Sequence, residues 1–375
     1  MLTRLLPVFL LPLVLAVLVG CTDGNDGQRV VDSVSYDEQG PYAVGNTTIT
    51  VLNDREGRML TVELWYPAVA GGATQTILDL AADRNERDAM ATLLEDVPEA
   101  CTRRDTASTR DAEPLAAPEK LPLVVFSHCF ECTRYSSFTL AERLASHGIA
   151  VAAPDHLMNT LFDSGAMLNG EFLITRAGDV AAVLDELLIA NSAVLPLGLQ
   201  GRFDDARVGV AGHSYGAVTV GKVLQDDARF LAGFIMAAPV ENPIIPGVAV
   251  ERIDDPTLYL IAREDNSIGE IGNILMRGNF DAAASPSWKV EVADAGHWSF
   301  SDIAGIVPGF AAGCGEGVRQ TNPAEPFTYL DNALAREITA AYGVRFFAAH
   351  LLDDEAARQA LAESTLPGVV DVQTR

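Results

Sequence analysis

The chain has 375 residues, of which 49% are hydrophobic and 21% are charged, and this composition excludes a wholly disordered protein. Its formal net charge of −25 argues against a nucleic-acid-binding protein, because phosphate groups are bound by clustered Lys and Arg. The same charge argues against docking on anionic lipids by charge alone.

Residues 1–20 are predicted to be a signal peptide. Arg4 precedes an apolar run at residues 5–19, which is shorter than the roughly 20 residues of a spanning helix and typical of an export signal. The run ends at Gly20-Cys21, before a polar stretch rich in Gly and Asp. This junction resembles a bacterial lipobox, which implies that Cys21 is lipidated and anchors an extracytoplasmic protein to the membrane. The alternative is an ordinary cleaved signal with a coincidental Cys. Residues 21–44 are predicted to be a tether.

Four cysteines remain after Cys21, namely Cys101, Cys129, Cys132 and Cys314. An even count in an oxidising compartment favours structural disulfides over free buried thiols. Four cysteines allow three connectivities, and the sequence does not choose among them. Cys129 and Cys132 have the spacing of a redox motif, but they lack a thioredoxin-like context, and no second pair supports a zinc site.

Strand and helix patterns alternate along most of the chain. Strands are predicted at residues 47–52, 59–66, 121–127, 149–154, 208–212, 233–238, 257–262 and 289–292, and helices at residues 86–94, 137–147, 175–190, 214–224 and 333–351. Such alternation predicts an α/β fold with a mostly parallel central sheet and helices on both faces. We predict one domain at residues 45–352, followed by a C-terminal helix or tail at residues 353–375.

A Gly-x-Ser-x-Gly motif lies between a predicted strand and a predicted helix, at residues 212–216. In this context the turn is so sharp that Ser214 adopts a strained backbone conformation, and Gly212 and Gly216 avoid clashes. The Ser214 hydroxyl then projects above the sheet, at the N-terminus of the next helix. The motif predicts a nucleophilic serine, and the alternative is a purely structural turn.

A serine nucleophile needs a base, and His297 is the best candidate among six histidines. It directly follows the last predicted parallel strand, and it comes after Ser214 in the chain, as the order nucleophile, acid, histidine requires. Gly296 allows its loop to turn back toward Ser214. The other histidines suit capping, packing or surface positions, or lie before or inside the serine turn: His128, His147, His156, His213 and His350.

The acid that orients the histidine is predicted to be Asp265, just after a buried strand, where α/β sheets present their functional groups. The adjacent Glu264 is the main competitor, and Glu241, Asp254 and Asp255 are more remote. Each of these carboxylates could instead be solvated in a loop.

Acyl transfer also requires donors for an oxyanion, and we predict the backbone N–H groups of Tyr215 and Phe130. Four apolar residues are candidates for a substrate pocket, with core packing as the alternative: Met158, Leu161, Phe162 and Trp298. Residues 299–317 contain five glycines and form either a lid or a surface loop.

Five separated motifs carry a family resemblance: Leu64-Trp65-Tyr66-Pro67, LPLVVFSH from residue 121, LAERLASHGIAVAAPDH from residue 140, GHSYG from residue 212 and AGHWSFSD from residue 295. Together they resemble the platelet-activating-factor acetylhydrolase and dienelactone-hydrolase-like branch of the α/β-hydrolases, which includes bacterial lipases and polyesterases. The resemblance covers residues 45–352. It implies the α/β-hydrolase fold and serine-dependent hydrolysis of esters with short to medium acyl groups, without metal or organic cofactor. It carries over to Ser214, His297, Tyr215 and Phe130.

Two departures from the family pattern affect these predictions. Cys129 replaces the usual Gly of the oxyanion loop, where its side chain could reshape the oxyanion hole or be held in a disulfide. Residues 235–238 lack the acid found there in the acetylhydrolase subgroup, which favours Asp265 and weakens a phospholipid assignment.

The sequence thus predicts an exported, lipid-anchored serine esterase that acts as a monomer on small or lipid-like esters. The alternatives are an acyltransferase or amidase with the same residues, and a non-catalytic binding lipoprotein on the same fold.

Overall fold

The computed structural model describes residues 35–73, 75–98, 101–163, 165–307 and 313–375, which belong to one compact unit that starts at Ser35. Its strands are β1 Ala43–Asn53, β2 Arg58–Ala68, β3 Ser108–Arg110, β4 Leu121–Ser127, β5 Ala150–Pro154, β6 Phe203–His213, β7 Gly233–Met236, β8 Thr257–Ala262, β9 Ser287–Val292, β10 Glu316–Val318, β11 Pro326–Thr328 and β12 Val370–Thr374. Its helices are α1 Arg84–Leu94, α2 Phe138–Ser146, α3 Gly170–Leu187, α4 Tyr215–Asp226, α5 Gly269–Ala282, α6 Asn332–Leu351 and α7 Glu355–Ala360.

Ten of these strands form one sheet in the order β12-β9-β8-β7-β6-β4-β5-β2-β1-β3. The central strands from β5 to β9 are parallel, whereas β2 and β12 join them antiparallel. The parallel strands end at the same edge of the sheet, so the loops that follow β4, β6, β8 and β9 are neighbours. This edge is where an open α/β sheet places its functional groups.

The central strands are hydrophobic on both sides because helices cover both faces of the sheet. On β4, Val124 and Phe126 join the core under α2 and α6, while Leu123 and Val125 join the core under α3 and α4. The predicted α/β-hydrolase fold, with a mostly parallel sheet and helices on both faces, is confirmed.

Several elements depart from the predicted ones. Helix α3 begins at Gly170 rather than 175, because the Asn169 side chain accepts a hydrogen bond from the Phe172 amide and caps it. Helix α4 begins at Tyr215 because Ser214 has a positive φ. Helix α5 is absent from the prediction, since Gly269, Gly272 and Gly278 lower its helix propensity.

The compact unit extends beyond the predicted limits of 45 and 352. The Tyr36 hydroxyl donates to Asp354 (2.7 Å), and Arg345 on α6 donates to Asp37 (2.8 Å), so residues from 35 onward belong to the domain rather than to the tether. The predicted C-terminal helix or tail contains α7 and also β12, which pairs with β9 and completes one edge of the sheet. The predicted signal peptide, Cys21 and the rest of the tether lie outside the described residues.

Two disulfides resolve the cysteine connectivity. Cys101 bonds to Cys314, and Cys129 bonds to Cys132. Residues 301–307 are mostly buried, and their apolar side chains join the core beside α2 and α6, so this part of the segment 299–317 is core rather than a lid. In the parts of the chain given above, no helix is long and apolar enough to cross a membrane.

Candidate active site

The turn at residues 212–216 has the predicted strained geometry. Ser214 has φ 57° and ψ −119°, outside the regions that non-glycine residues usually adopt. A Cβ on Gly212 would lie 2.3 Å from the Gly216 carbonyl oxygen, and one on Gly216 would lie 1.9 Å from the Ser127 carbonyl oxygen. Both glycines are therefore required by space, and Ser214 is held in a half-exposed position at the N-terminus of α4.

His297 and Asp265 form a buried hydrogen-bonded pair. The distance between Nδ1 of His297 and Oδ2 of Asp265 is 2.7 Å, and both side chains are at most 3% exposed. The other carboxylate oxygen of Asp265 accepts hydrogen bonds from the Ser267 and Ile268 amides, each 2.9 Å long. Since a carboxylate only accepts, Nδ1 of His297 carries the proton in this hydrogen bond, which leaves Nε2 as the ring atom that can accept a proton.

Glu264, the competitor of Asp265, faces elsewhere. Its carboxylate accepts from the Thr321 hydroxyl (2.7 Å) and from Arg319 (3.2 Å). The structure therefore brings together the predicted Asp265 and His297, whereas the side chain of Glu264 binds the segment around residue 320.

His213 connects the histidine loop to the serine turn. Its Nε2–H donates to the carbonyl of His297 over 2.9 Å, and the centroids of the two rings are 4.9 Å apart. Burial, followed by the charge of His297, lowers the pKa of His213 to about 3, so its ring is neutral at pH 7. Through these two contacts with His213, His297 lies beside the residue that precedes Ser214.

Gly296 contributes in a different way from the one predicted. Its φ is −98°, so a left-handed conformation is not what requires glycine there. A Cβ at this position would lie 2.7 Å from the Tyr329 ring, and its amide donates to the Ser299 hydroxyl. The close approach of Tyr329 is the reason for a glycine before His297.

The predicted oxyanion donors flank the serine turn. Within the described chain, neither the Tyr215 amide nor the Phe130 amide donates a hydrogen bond to a protein group. The Phe130 ring lies 6.2 Å from the Tyr215 ring, and the disulfide between Cys129 and Cys132 closes the turn that carries Phe130. The Cys that replaces the usual Gly at position 129 is therefore held in a disulfide, which constrains the loop that carries Phe130.

His128 holds the start of this turn. Its Nδ1–H donates to the Cys129 carbonyl over 2.7 Å, and its Nε2 accepts from the His156 amide over 3.0 Å. Burial, together with the nearby Arg176, lowers the pKa of His128 well below its usual value. His128 is thus a neutral structural residue of the loop.

A cavity of about 220 Å³ opens beside Ser214. Its walls come from the segment before α3, from α4, from the loop after β7 and from α5 with the two residues that precede it, and they are mostly aliphatic. The lining residues are Leu168, Ser214, Tyr215, Val218, Ala238, Pro239, Asn242, Ile244, Ile245, Ser267, Ile268, Ile271, Gly272 and Leu275. Such a mainly apolar pocket with few polar groups is typical of a small-ligand site.

The four residues predicted for the pocket do not line this cavity. Phe162 lines a separate depression together with Asp155 and Asp163, while Leu161 packs against the core. Met158 is 51% exposed, and Trp298 is buried against the ring of His213. These four residues therefore lie outside the cavity beside Ser214, whose walls come instead from Leu168, at the end of the loop after β5, and from α5.

The cavity-lining residues that the sequence did not predict come mainly from α5 and from the loop after β7. Only Val218, one turn after Ser214 on α4, carried a usable signal, since it faces the same side of the helix. Across the described ranges, no group of three or more His, Cys, Asp or Glu side chains is placed to hold a metal ion.

Comparisons with known proteins find similar chains among esterases and acetylhydrolases. A ferulic acid esterase from Streptomyces cinnamoneus superposes with a TM-score of 0.66 at 25% identity, over 89% of this chain and 96% of that chain. Platelet-activating factor acetylhydrolase of Cavia porcellus is 29% identical over an alignment of 157 residues, and the match covers 33% of this chain and 36% of that protein. Its counterpart in Canis lupus familiaris is 26% identical over an alignment of 187 residues, and the match covers 39% of this chain and 41% of that protein.

The matched segment thus spans about two fifths of these curated relatives. A sequence model of the family described as platelet-activating factor acetylhydrolase, isoform II, covers far more of the chain, at residues 33–164 and 184–325. On the strength of that match, this chain belongs to the platelet-activating factor acetylhydrolase, isoform II, family.

Proposed function

We propose that this protein is a serine esterase that hydrolyses carboxylic esters through an acyl-enzyme on Ser214. The observation that carries the proposal is the buried 2.7 Å hydrogen bond between Asp265 and His297, which contacts the residue before a serine in a strained turn. Serine needs a base to become a nucleophile, and a base needs a group that fixes its tautomer. The family membership and the esterase neighbour support the same reaction.

In the proposed mechanism, Oγ of Ser214 attacks the ester carbonyl carbon while Nε2 of His297 takes the hydroxyl proton. Asp265 stabilises the resulting imidazolium. The amides of Tyr215 and Phe130 donate to the oxyanion of the tetrahedral intermediate. As the intermediate collapses, His297 protonates the leaving alcohol, and water activated by the same ring later releases the acid and regenerates Ser214.

The cavity suggests the substrate class. Its volume of about 220 Å³ is below the roughly 300–1,000 Å³ of pockets for drug-sized ligands, and its walls are aliphatic. We therefore propose short to medium aliphatic acyl chains. The neighbour is named for ferulic acid, an aromatic acid, so methyl ferulate is a useful competing substrate.

A chain-length series of p-nitrophenyl esters tests both the reaction and the pocket. We expect kcat/KM to rise about fourfold per added methylene, from about 0.8 kcal/mol of burial per CH₂, until the cavity is full. Ala238 is buried in the cavity wall, so Ala238→Leu fills part of the space and should move the optimum to a shorter chain.

The matched control is Ala238→Gly, which removes a methyl group from the wall and should keep the wild-type optimum or move it to a longer chain. An optimum that is the same in all three proteins would contradict the assignment of this cavity to the acyl group. Labelling of the folded wild-type protein by a fluorophosphonate distinguishes an esterase from a binding protein, because only an activated Ser214 forms the adduct.

We also propose that the protein is exported and anchored by a lipid on Cys21, on the extracytoplasmic side of the membrane. The apolar run before Cys21 and the polar stretch after it support this, and the two disulfides suit an oxidising compartment. Expression in bacteria with an alkyne palmitate analogue should label the wild-type protein and the control Thr22→Ala. Cys21→Ser should lose the label and the membrane association. An unlabelled wild-type protein would favour an ordinary cleaved signal.

A further inference from the structure

A buried guanidinium lies behind the oxyanion loop. Arg176 projects from α3 and is fully buried. Its Nη2 donates to the carbonyl of His128 and to the Ser127 hydroxyl, the latter over 3.0 Å. Both acceptors belong to the end of β4, two and three residues before Phe130. The hydrogen bonds of Arg176 to Ser127 and His128 therefore help to fix the position of the Phe130 amide.

The same guanidinium also contacts the other side of the oxyanion hole. Its central carbon lies 4.7 Å from the centroid of the Tyr215 ring, and the Tyr215 hydroxyl donates to the Asn169 carbonyl over 2.6 Å. Nε of Arg176 donates to Thr219 on α4 over 3.2 Å. One side chain thus touches both segments that present the proposed oxyanion donors.

Arg176 is unusual among the buried cations of the described chain. Arg134, which is equally buried, forms ion pairs with Glu63, Glu86 and Asp155. Within the described ranges, no carboxylate lies within 4.0 Å of Arg176, and burial lowers its pKa to about 9, opposed by Tyr215 and Asp179. Burying a cation without a carboxylate partner is costly. In the described chain the Arg176 guanidinium is compensated by neutral groups, namely the acceptors above, the Asn159 side chain and the Tyr215 ring, so its positive charge is not cancelled by an anion.

A chain of directed hydrogen bonds fixes the acceptor of Arg176. Asp179 accepts from Nδ1–H of His156 (2.8 Å), so Nε2 of the neutral His156 accepts from the Ser127 hydroxyl (3.0 Å). The Ser127 oxygen then accepts from Arg176. Ser127, His156 and Asp179 are hydrogen-bonded in series, as the serine, histidine and acid of a nucleophilic site would be. All three side chains are buried, however, and their hydrogen bonds serve to orient the loop.

We propose that Arg176 is a positioning residue for ester hydrolysis: it holds the Phe130 and Tyr215 amides at the spacing that the oxyanion requires, and its unpaired charge favours the oxyanion. This inference rests on the proposed function. Preorganised donors and charges that act on the developing oxyanion raise kcat without tightening substrate binding.

The test compares Arg176→Met and Arg176→Lys with the wild-type protein. We expect kcat to fall about 10- to 100-fold in Arg176→Met. KM should stay within about threefold of the wild-type value, because binding of the ground-state ester depends little on the oxyanion hole. Arg176→Lys keeps the charge but not the fork of donors, and should recover part of kcat. The second readout is the ratio of kcat/KM for an ester and its thiono analogue, whose sulfur accepts amide hydrogen bonds poorly. That ratio is independent of the folded fraction, and it should fall in Arg176→Met.

The matched control is Arg345→Met, which removes another buried arginine that lies over a tyrosine, 5.3 Å from the Tyr342 ring, far along α6. It should lose stability but keep kcat and the ester-to-thiono ratio. If Arg176→Met does not fold, Arg176→Lys decides by the same ratio. A folded Arg176 variant with wild-type kcat and ratio would overturn the inference. A wild-type protein that hydrolyses no ester would instead overturn the proposed function, and the inference with it.

Discussion

Ser214→Ala is expected to lower kcat for ester hydrolysis by about 10⁴- to 10⁶-fold, because the hydroxyl that forms the acyl-enzyme is gone. The backbone strain at φ 57° remains in the variant, and the side chain is half-exposed, so the free energy of unfolding should change by less than about 1 kcal/mol. Steady-state kinetics with a p-nitrophenyl ester and a urea unfolding curve measure the two quantities.

Ser287→Ala is the matched control for this experiment. Ser287 is buried on β9, and its hydroxyl has no hydrogen-bond partner within the described residues, so the variant should retain full activity and stability. Equal activity in Ser214→Ala and the wild-type protein would contradict the proposed nucleophile and with it the serine esterase.

Asp265→Asn should lower kcat by about 10³- to 10⁴-fold with little change in KM. The Asn amide donates to Nδ1 of His297 in place of accepting from it, which leaves the proton on Nε2, where it cannot accept the Ser214 proton. Oδ1 can still accept from the Ser267 and Ile268 amides, so the loop should stay folded. The readouts are kcat and KM, with circular dichroism to verify the fold.

Glu264→Gln separates the two neighbouring acids. Glu264 accepts from Thr321 and Arg319 and has no contact with His297, so its loss should reduce stability and keep kcat within about threefold. A large loss of kcat in Glu264→Gln together with an active Asp265→Asn would reverse the assignment.

The central fold follows from the sequence because its strands are continuous apolar runs. Leu121–Ser127 is buried along its whole length, and such a run between helices has few other interpretations. The peripheral elements give weaker patterns. Helix α5 contains three glycines, which weaken its helical pattern. Strand β12 has the short, half-exposed sequence VDVQT, and it pairs with β9, which is 78 residues or more away in the chain.

The predicted site residues share a similar logic. Ser214, Asp265 and His297 each follow a strand of the parallel core, so chain order alone places them at one edge of the sheet. The acyl-side cavity depends on side chains of α5 and on the loop after β7, whose positions arise from packing between distant segments. Arg176 escapes sequence reasoning for another reason: an arginine in an amphipathic helix normally reaches solvent, and only the three-dimensional structure shows it to be buried.

The last strand has a consequence for handling the protein. β12 covers the backbone edge of β9, whose residues are all buried, and Arg375 exchanges two backbone hydrogen bonds with Ser287. An uncovered apolar strand edge is a template for pairing between molecules. β12 itself presents the exposed Asp371 and Gln373, which are poor partners for such pairing, and the charged Arg375 directly follows it. β12 therefore protects the sheet from intermolecular association, and a variant that lacks this strand would aggregate more readily.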